Sequence, residues 1–378
     1  MKSLNCSFIN CTRTVTDNEL NSTANHNLTK HHRGFNGNIL DSGADFVEEL
    51  VLRDSLYVVI PLTVLYSFIL IAGISGNLIN CWVITKIKRM HTTTNYYLFS
   101  LSVSDLLLLT SGLPQEIYLI WFRYPYIFGE TFCVLRGLMA ETSTNATVLT
   151  ITAFSFERYI AICHPFLAYS VTNLTRTVRL ILLIWVLALV FAAPQAFQFG
   201  LVAHGGPETL QCTLKRIILP HSFELSTIFF FIVPMILITY LYAMIGIKLK
   251  KSGKMKPSLK RKSLYNGNAS SANTSRSSMF SQQRPERKIS KMLIAVVVTF
   301  FLCWAPFHAQ RLVAMYGTNS SLMMKIYDVV TYVSAIMYYT SSMMNPLLYQ
   351  ITSRKFRDAF KESIGLFYSR TPQDESCK

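Results

Sequence analysis

The chain has 378 residues, of which 51% are hydrophobic and 15% are charged, and its mean hydropathy is +0.32. These values are unusual for a water-soluble protein and indicate a membrane protein. The formal net charge of +16 would suggest a nucleic-acid partner in a soluble chain. Here the excess of basic residues lies in the segments expected on the cytoplasmic side of a membrane, so no nucleic-acid binding is expected.

The first 54 residues form a polar segment with four acceptor tripeptides for N-glycosylation. Because several acceptors cluster in one segment, we expect residues 1–54 to be extracellular and glycosylated. Cys6 and Cys11 lie in the same segment and could either pair or stay free. The acceptor residues are Asn5, Asn10, Asn21 and Asn27.

Seven stretches are long enough to cross a bilayer core, which takes about 20 residues of helix. Five of them contain no Asp, Glu, Lys or Arg, and the second contains only Asp105. The third is rich in Thr and reaches the required length only with its charged ends, so we interpret it as a central helix surrounded by protein. The sequence therefore predicts an all-α membrane protein with a seven-transmembrane helix bundle. The predicted spans are 57–85, 96–115, 132–163, 180–203, 225–247, 292–310 and 329–351.

The distribution of basic residues predicts the orientation of the bundle. Residues 248–291 contain 13 Lys or Arg and one acid, Glu286, whereas the first 53 residues contain five basic and six acidic residues. Since cytoplasmic loops carry the excess of Lys and Arg, the C-terminus is expected inside and the N-terminus outside the cell. We predict a multi-pass protein of the plasma membrane, with the bundle over 55–351.

The cytoplasmic parts of the chain differ in character. Residues 252–285, in the third cytoplasmic loop, and the end of the tail are rich in Ser, Asn, Lys and Arg, which is typical of disordered segments open to kinases. Within the C-terminal part, 352–378, Phe356, Phe360 and Ile364 recur at helical spacing beside basic residues. This pattern predicts a short amphipathic helix on the inner membrane surface.

Two cysteines are expected on the extracellular side of the bundle. Cys133 opens the third span, and Cys212 lies between the fourth and fifth spans. A disulfide between them would tie that loop to the top of the third helix, as an oxidising compartment permits.

Acidic residues within predicted spans need a partner or a water-filled cavity. Asp105 and Glu116 are eleven residues apart, so they share one helix face about 16 Å apart along its axis, with Glu116 near the outer mouth. Glu141 lies in the outer part of the third helix. Since no matched pair of cations is obvious in this layer, Glu116 and Glu141 favour a ligand with a basic group. The alternative is internal salt bridges with Arg136 or Arg311.

Aromatic residues of several spans could form the walls of such a cavity, although each could equally be ordinary helix packing. These candidates are Tyr118, Trp121, Phe307, His308 and Tyr339.

Near the inner surface, Glu157 and Arg158 are adjacent opposite charges followed by Tyr159. Such a pair at a helix end can form a lock that opens when a partner binds.

The ordered set of motifs resembles the rhodopsin-like family of G-protein-coupled receptors, over about residues 55–367. The motifs are Gly76-Asn77, the 101–106 sequence LSVSDL, Glu157-Arg158-Tyr159, Trp185, Pro234 with Tyr242, the 300–306 sequence FFLCWAP, and the 345–349 sequence NPLLY.

That resemblance implies a heterotrimeric G protein as partner, with arrestin and receptor kinases as further candidates. It also implies roles for individual residues. Pro306 and Pro346 remove backbone hydrogen bonds and would let the inner half of the sixth helix move. The implied roles are an allosteric sodium site at Asp105 and Asn345, with Thr147 as a further candidate; a pivot at Trp304 and Phe300; and an inner switch at Arg158, Tyr242 and Tyr349. No other cofactor is expected.

Two stretches, 112–118 (GLPQEIY) and 157–166 (ERYIAICHPF), resemble the neuromedin U, pyrokinin and capa peptide receptor group. Ala140 and Tyr339 stand where amine receptors carry an Asp and opsins the retinal Lys, so neither ligand is expected. The resemblance implies an amidated neuropeptide ending in Pro-Arg-X-amide, with Gln115 in the same run as Glu116, and signalling through Gq, phospholipase C and calcium. Glu116 and Glu141 match the positions thought to hold the ligand arginine.

Three other readings compete with this one. A transporter also places charges at mid-membrane depth, but no internal repeat is found. An enzyme is not expected, because the sequence lacks a His-Glu-x-x-His motif, a phosphate-binding glycine loop and a Cys/His metal cluster. Within the receptor interpretation, the alternative is a receptor for another amidated peptide, such as thyrotropin-releasing hormone, neurotensin or a ghrelin-like ligand.

Overall fold

The computed structural model describes residues 4–6, 11–13, 55–122, 124–171, 173–203, 209–263, 294, 297–314, 316, 321–352 and 354–368. Asn5 lies in a described strand, whereas Asn10, Asn21 and Asn27 lie outside the described residues. Residues 252–263 of the loop predicted to be disordered are helical, because the helix of the fifth span continues into them, and the rest of that loop and the end of the tail lie outside the described residues.

Seven long helices and one shorter C-terminal helix occur in the part of the chain that the structure describes. Six of them, α1 to α6, are long and apolar enough to cross a membrane, and the seventh predicted span lies within α7. A short helix, Pro165–Val171, and a 3-10 turn, Lys88–Met90, lie between the long ones. The helices are α1 (Leu56–Lys86), α2 (Thr93–Trp121), α3 (Gly129–Cys163), α4 (Leu174–Ala196), α5 (Ser222–Ser263, with a π-helical turn over Ile228–Ile232), α6 (Val297–Ala314), α7 (Ser321–Thr352) and α8 (Arg354–Tyr368).

Two of these helices begin at a residue whose side chain satisfies a free backbone amide. The Thr92 hydroxyl accepts a hydrogen bond from the Asn95 amide at 3.4 Å. Asn173 Oδ1 accepts one from the Thr175 amide at 3.0 Å. These caps set the starts of α2 and α4 at Thr93 and Leu174, three and six residues before the predicted spans begin.

The prediction for the fourth span was wrong at its end. The helix ends at Ala196, and residues 199–203 form a β-strand instead. This strand, β3 (Phe199–Ala203), pairs antiparallel with β4 (Leu210–Leu214), with Leu201 opposite Cys212. The apolar residues that extended the predicted span are therefore the strand residues of a hairpin, which apolar content alone does not distinguish from a helix.

The predicted disulfide between Cys133 and Cys212 is confirmed, with 5.8 Å between the two Cα atoms. It ties the β3–β4 hairpin to the second turn of α3. We call this end of the bundle the disulfide end, and the opposite end the α8 end. A second hairpin, β1 (Leu4–Cys6) with β2 (Cys11–Arg13), places Cys6 opposite Cys11 in the backbone register.

Helix α3 is the central helix of the bundle, as its Thr-rich sequence predicted. It packs against α2, α4 and α5, and every residue from 140 to 148 is buried. Its hydroxyl and amide groups are thus shielded from lipid, which explains why a stretch of low apolar content can cross the membrane.

Helix α8 has the predicted amphipathic character. Phe356 and Ala359 are buried, whereas Lys355 and Arg357 are exposed. Arg89, in the turn after α1, forms an ion pair with Glu362 at 2.6 Å, so α8 is fastened to α1 by one polar contact in addition to its apolar face.

Candidate functional site

Glu116 on α2 is paired with Arg136 on α3. Their side chains are 4% and 1% exposed, and a guanidinium nitrogen of Arg136 donates a hydrogen bond to the carboxylate. The neighbouring Gln115 is also buried, and its Oε1 accepts a hydrogen bond from the Tyr126 hydroxyl at 3.0 Å. The pair therefore joins α2 to α3 within a polar layer near the disulfide end.

Glu141 on α3 is paired with Arg311 on α6. The two side chains are 3% and 6% exposed, and Arg311 donates a hydrogen bond to Glu141 Oε1. The second carboxylate oxygen of Glu141 is buried and has no hydrogen-bond partner among the described residues. This second pair joins α3 to α6.

The expectation that the two glutamates lack matched cations was wrong, and the alternative of internal salt bridges is what forms. The reason is that a buried carboxylate is strongly destabilising without a partner. Arg136 lies on the neighbouring helix and Arg311 reaches across the bundle, and helical spacing within one span reveals neither contact.

Aromatic rings surround the Glu141–Arg311 pair. The guanidinium carbon of Arg311 lies 4.5 Å from the ring centroid of Phe307 and 5.3 Å from that of Phe223. Phe307 stacks on Tyr338 of α7 with 4.6 Å between centroids. The predicted wall residue Phe307 is therefore part of this site, and cation–π contacts add to the ion pair.

His308 faces α5. Its ring stacks on Phe231 at 4.5 Å, and its Nδ1 lies 3.1 Å from the Thr227 hydroxyl. His308 is buried. It thus forms part of the contact between α5 and α6, one residue along from Phe307.

Trp121 and Tyr118 lie on other faces of α2. The indole Nε1 of Trp121 donates a hydrogen bond to the Thr63 hydroxyl of α1 at 2.9 Å. Tyr118 packs on Phe122 and Phe128, with centroids 5.3 and 5.2 Å apart. These contacts are those of helix and loop packing, the second of the two interpretations that the sequence left open.

Sequence reasoning missed Tyr338. Its hydroxyl lies 2.8 Å from that of Thr144 on α3, and its ring is 5.2 Å from Trp304. Tyr338 therefore links the layer of the ion pairs to the tryptophan below. The sequence does place two adjacent tyrosines, Tyr338 and Tyr339, at the same depth as the Thr-rich part of α3. This placement does not indicate which of the two faces which helix.

Tyr339 is fully buried, and its place depends on Gly112 of α2. A Cβ atom built on Gly112 would contact the Tyr339 hydroxyl and lie 2.9 Å from its Cε1. On the other side, the rings of Tyr339 and Tyr66 meet edge to face at 6.2 Å. The absence of a side chain at position 112 is thus what allows Tyr339 to lie against α2 beside the Glu116–Arg136 pair.

We therefore expect Gly112→Ala to destabilise the protein by about 1 to 3 kcal/mol, because a methyl group inserted there forces Tyr339 to shift. The measurement is the thermal unfolding midpoint of the purified protein in detergent. Gly246→Ala is the matched control, since a Cβ there meets nothing within 4 Å and Ala favours a helix by about 1 kcal/mol over Gly. Equal midpoints for the two variants would contradict the packing argument.

A second polar layer lies deeper in the bundle. Asn345 Nδ2 donates a hydrogen bond to Asp105 Oδ2 at 2.8 Å, and the hydroxyls of Ser104 and Thr147 are 2.8 Å apart. Trp304 donates from Nε1 to the Ser341 hydroxyl at 3.1 Å and stacks on Phe300 at 4.5 Å. Asp105, predicted for the polar core, and Trp304, predicted for the pivot, thus each share a hydrogen bond with a side chain of α7.

A family model described as 7 transmembrane receptor (rhodopsin family) matches residues 76–349, which is more than half of the chain. The chain belongs to the rhodopsin family of seven-transmembrane receptors. The predicted fold and family are both confirmed, and the chain is a receptor.

Three similar receptors cover most of this receptor's length. The Pyrokinin-1 receptor of Drosophila melanogaster is 49% identical over 348 residues, covering 82% of this chain and 80% of that one. Neuromedin-U receptor 1 of Rattus norvegicus is 38% identical over 319 residues, covering 81% and 74%. The Neuromedin U receptor homolog nmur-2 of Caenorhabditis elegans is 35% identical over 337 residues, covering 81% and 80%.

At the α8 end of the receptor, the predicted ion pair of the inner switch is present. Arg158 donates to Glu157 at 2.8 Å, and its guanidinium lies 5.4 Å from the ring centroid of Phe154. The Tyr159 hydroxyl lies 3.3 Å from His164 Nε2. The side chain of Tyr349 lies outside the described residues.

Helices α1 and α7 approach closely where the NPLLY motif begins. A Cβ on Gly76 would lie 2.9 Å from Pro346 Cγ, and Asn77 donates a hydrogen bond to the Ser342 carbonyl at 3.0 Å. The Gly76-Asn77 motif thus packs directly on α7, beside the proline where a backbone hydrogen bond is lost.

Proposed function

We propose that this receptor is activated by an extracellular amidated neuropeptide ending in Pro-Arg-X-amide, and that Glu116 and Glu141 hold the peptide's arginine. The observation that carries the proposal is the pair of buried carboxylates, one on α2 and one on α3, at the disulfide end of the bundle. In this proposal the N-terminus is extracellular and the receptor lies in the plasma membrane.

The geometry of the glutamates supports a guanidinium ligand. Each carboxylate accepts a hydrogen bond from a buried guanidinium, so each is oriented to pair with a peptide arginine that displaces the internal one. Glu141 also has a buried second oxygen that no described residue engages. A carboxylate can accept two parallel hydrogen bonds from one guanidinium, which is the strongest and most directional pairing available to a peptide arginine.

The similar receptors support the ligand class. They are named for pyrokinin and for neuromedin U. We carry these names to the present chain only as a proposal for a related peptide. Gln115 and Phe307, which lie beside the two ion pairs, are then candidates for contacts with the residues flanking the arginine.

Signalling would pass through a heterotrimeric G protein, of the Gq type, to phospholipase C and calcium, with receptor kinases and arrestin as later partners. The adjacent charges Glu157 and Arg158 and the prolines of α6 and α7 are the elements proposed to switch. Movement of α6 would open the α8 end of the bundle.

An allosteric sodium ion fits the residues of the deeper polar layer. Asp105 supplies a buried carboxylate, and Asn345, whose amide nitrogen donates a hydrogen bond to it, also carries a neutral amide oxygen. Hard cations bind such oxygen sets. Bound there, sodium would neutralise the buried Asp105 carboxylate.

The first test is intracellular calcium in cells that express the receptor, challenged with amidated peptides ending in Pro-Arg-X beside panels of amines and other neuropeptides. We expect nanomolar responses confined to the Pro-Arg-X panel. A response only to another amidated peptide would keep the receptor and discard the ligand class. Uptake of a substrate without any G-protein response would favour a transporter instead.

A further inference from the structure

Glu224 lies at the disulfide end of α5, in its first turn. It is next to Phe223, whose ring centroid is 5.3 Å from the guanidinium carbon of Arg311. Its Oε1 accepts a hydrogen bond from the Tyr316 hydroxyl at 2.6 Å and lies 3.1 Å from His221 Nδ1. Its Oε2 is buried, and none of the residues that the structure describes forms a hydrogen bond with it.

The charges around Glu141 do not leave room for one more cation. Glu141 is already neutralised by Arg311, and both side chains are buried. A peptide arginine added to this pair would give two cations and one anion in a layer shielded from water, which is strongly unfavourable. If the peptide arginine binds Glu141, Arg311 must therefore move to another acceptor.

Glu224 is placed to be that acceptor. Arg311 extends over the Phe223 ring, and the unengaged oxygen of Glu224 belongs to the next residue of α5. Tyr316, which already binds Glu224, lies five residues after Arg311 in the sequence, so Glu224 contacts the chain just beyond the part of α6 that carries Arg311. The long Arg side chain can move toward Glu224 by rotation about its own bonds while its aliphatic part stays on apolar surface.

We propose that Glu224 receives Arg311 when the arginine of an agonist peptide takes its place on Glu141. The inference rests on the proposed ligand class. It assigns Glu224 as a positioning residue: its carboxylate does not contact the peptide but stabilises the displaced Arg311. The exchange replaces a contact between α3 and α6 by one between α5 and α6, so it frees α6 from α3 at the moment of binding.

The test is a double-mutant cycle on peptide potency. Calcium dose–response curves for a Pro-Arg-X-amide peptide are recorded for the wild type, Glu224→Gln, Arg311→Gln and the double variant, each normalised to surface receptor. We expect Glu224→Gln to lower potency roughly tenfold in the wild-type background, because one charge-assisted hydrogen bond is lost. In the Arg311→Gln background the same change should alter potency less than twofold, since no displaced arginine needs an acceptor.

The matched control is Glu130→Gln. Glu130 is another carboxylate at the disulfide end, paired with Lys215 at 2.5 Å on the surface. Its loss should have the same small effect in both backgrounds. Glu224→Asp, which keeps the charge, should retain most of the wild-type potency, and a citrulline analogue of the peptide should be insensitive to Glu224→Gln.

The outcomes separate this inference from the proposed function. An equal loss of potency from Glu224→Gln in both backgrounds would mean that Glu224 acts through local structure, and would overturn the exchange while the ligand class stands. A wild type that is silent to the whole Pro-Arg-X panel would overturn the ligand class, and the exchange with it. A loss confined to receptors that contain Arg311 supports the exchange.

Discussion

Glu141→Gln should weaken an arginine-containing peptide agonist roughly tenfold to a hundredfold, and Glu116→Gln should do the same. The change removes one charge from the proposed arginine site, and a hydrogen bond to a charged group contributes about 1.5 to 3 kcal/mol. Gln keeps the shape of the side chain and an acceptor oxygen for Arg311 or Arg136. The measurement is agonist potency in a calcium assay at matched surface expression.

A citrulline analogue distinguishes lost recognition from lost structure. Citrulline keeps the length of arginine without its charge, so the glutamates should matter much less for that peptide. Equal losses for the arginine and citrulline peptides would indicate misfolding, because both Glu–Arg pairs also join helices. Unchanged potency of the arginine peptide with normal surface expression would refute the proposed site.

Loss of the Cys133–Cys212 bond should reduce surface receptor and agonist response more than any other single change considered above. The bond closes a loop with a sequence separation of 79 residues, and a loop of this length corresponds to about 4 to 5 kcal/mol of stabilisation in the chain-entropy model. It also holds the β3–β4 hairpin against α3, next to the layer of the ion pairs. Surface labelling and the thermal midpoint of the purified receptor measure the loss.

The double variant Cys133→Ser/Cys212→Ser tests the bond without leaving an odd thiol. Cys81→Ala is the control, because Cys81 is a free, half-buried cysteine of α1, and it should leave surface expression near the wild-type level. A double variant that matched Cys81→Ala in expression, midpoint and response would show that the bond contributes little.

Much of the architecture follows from the sequence. Apolar stretches of membrane-spanning length identified the helices, because a chain segment that crosses a bilayer core has few alternatives to a helix. The Thr-rich third stretch could be read as central, since only surrounding protein can shield its hydroxyls. Likewise, Cys133 and Cys212 were predicted to pair because both stand at the same end of the bundle.

The errors have a common cause. The fourth helix ends at Ala196 because the apolar residues that follow it pair with β4, and the composition of a short apolar stretch does not separate helix from strand. Tyr338 was missed because the facing partner of a residue on α7 depends on how the helix is rotated in the bundle.

The depth of Glu116 and Glu141 in the bundle could be predicted from the sequence, since it follows from the length, spacing and composition of their spans. The arginine that pairs with each glutamate depends instead on how the helices pack. Arg136 comes from the neighbouring helix and Arg311 from 170 residues further along the chain. Spacing along one helix specifies the depth and the face of a residue. Its partner across the bundle depends on packing among several helices. Because an unpaired buried charge is strongly destabilising, each glutamate pairs with the arginine that this packing brings within reach.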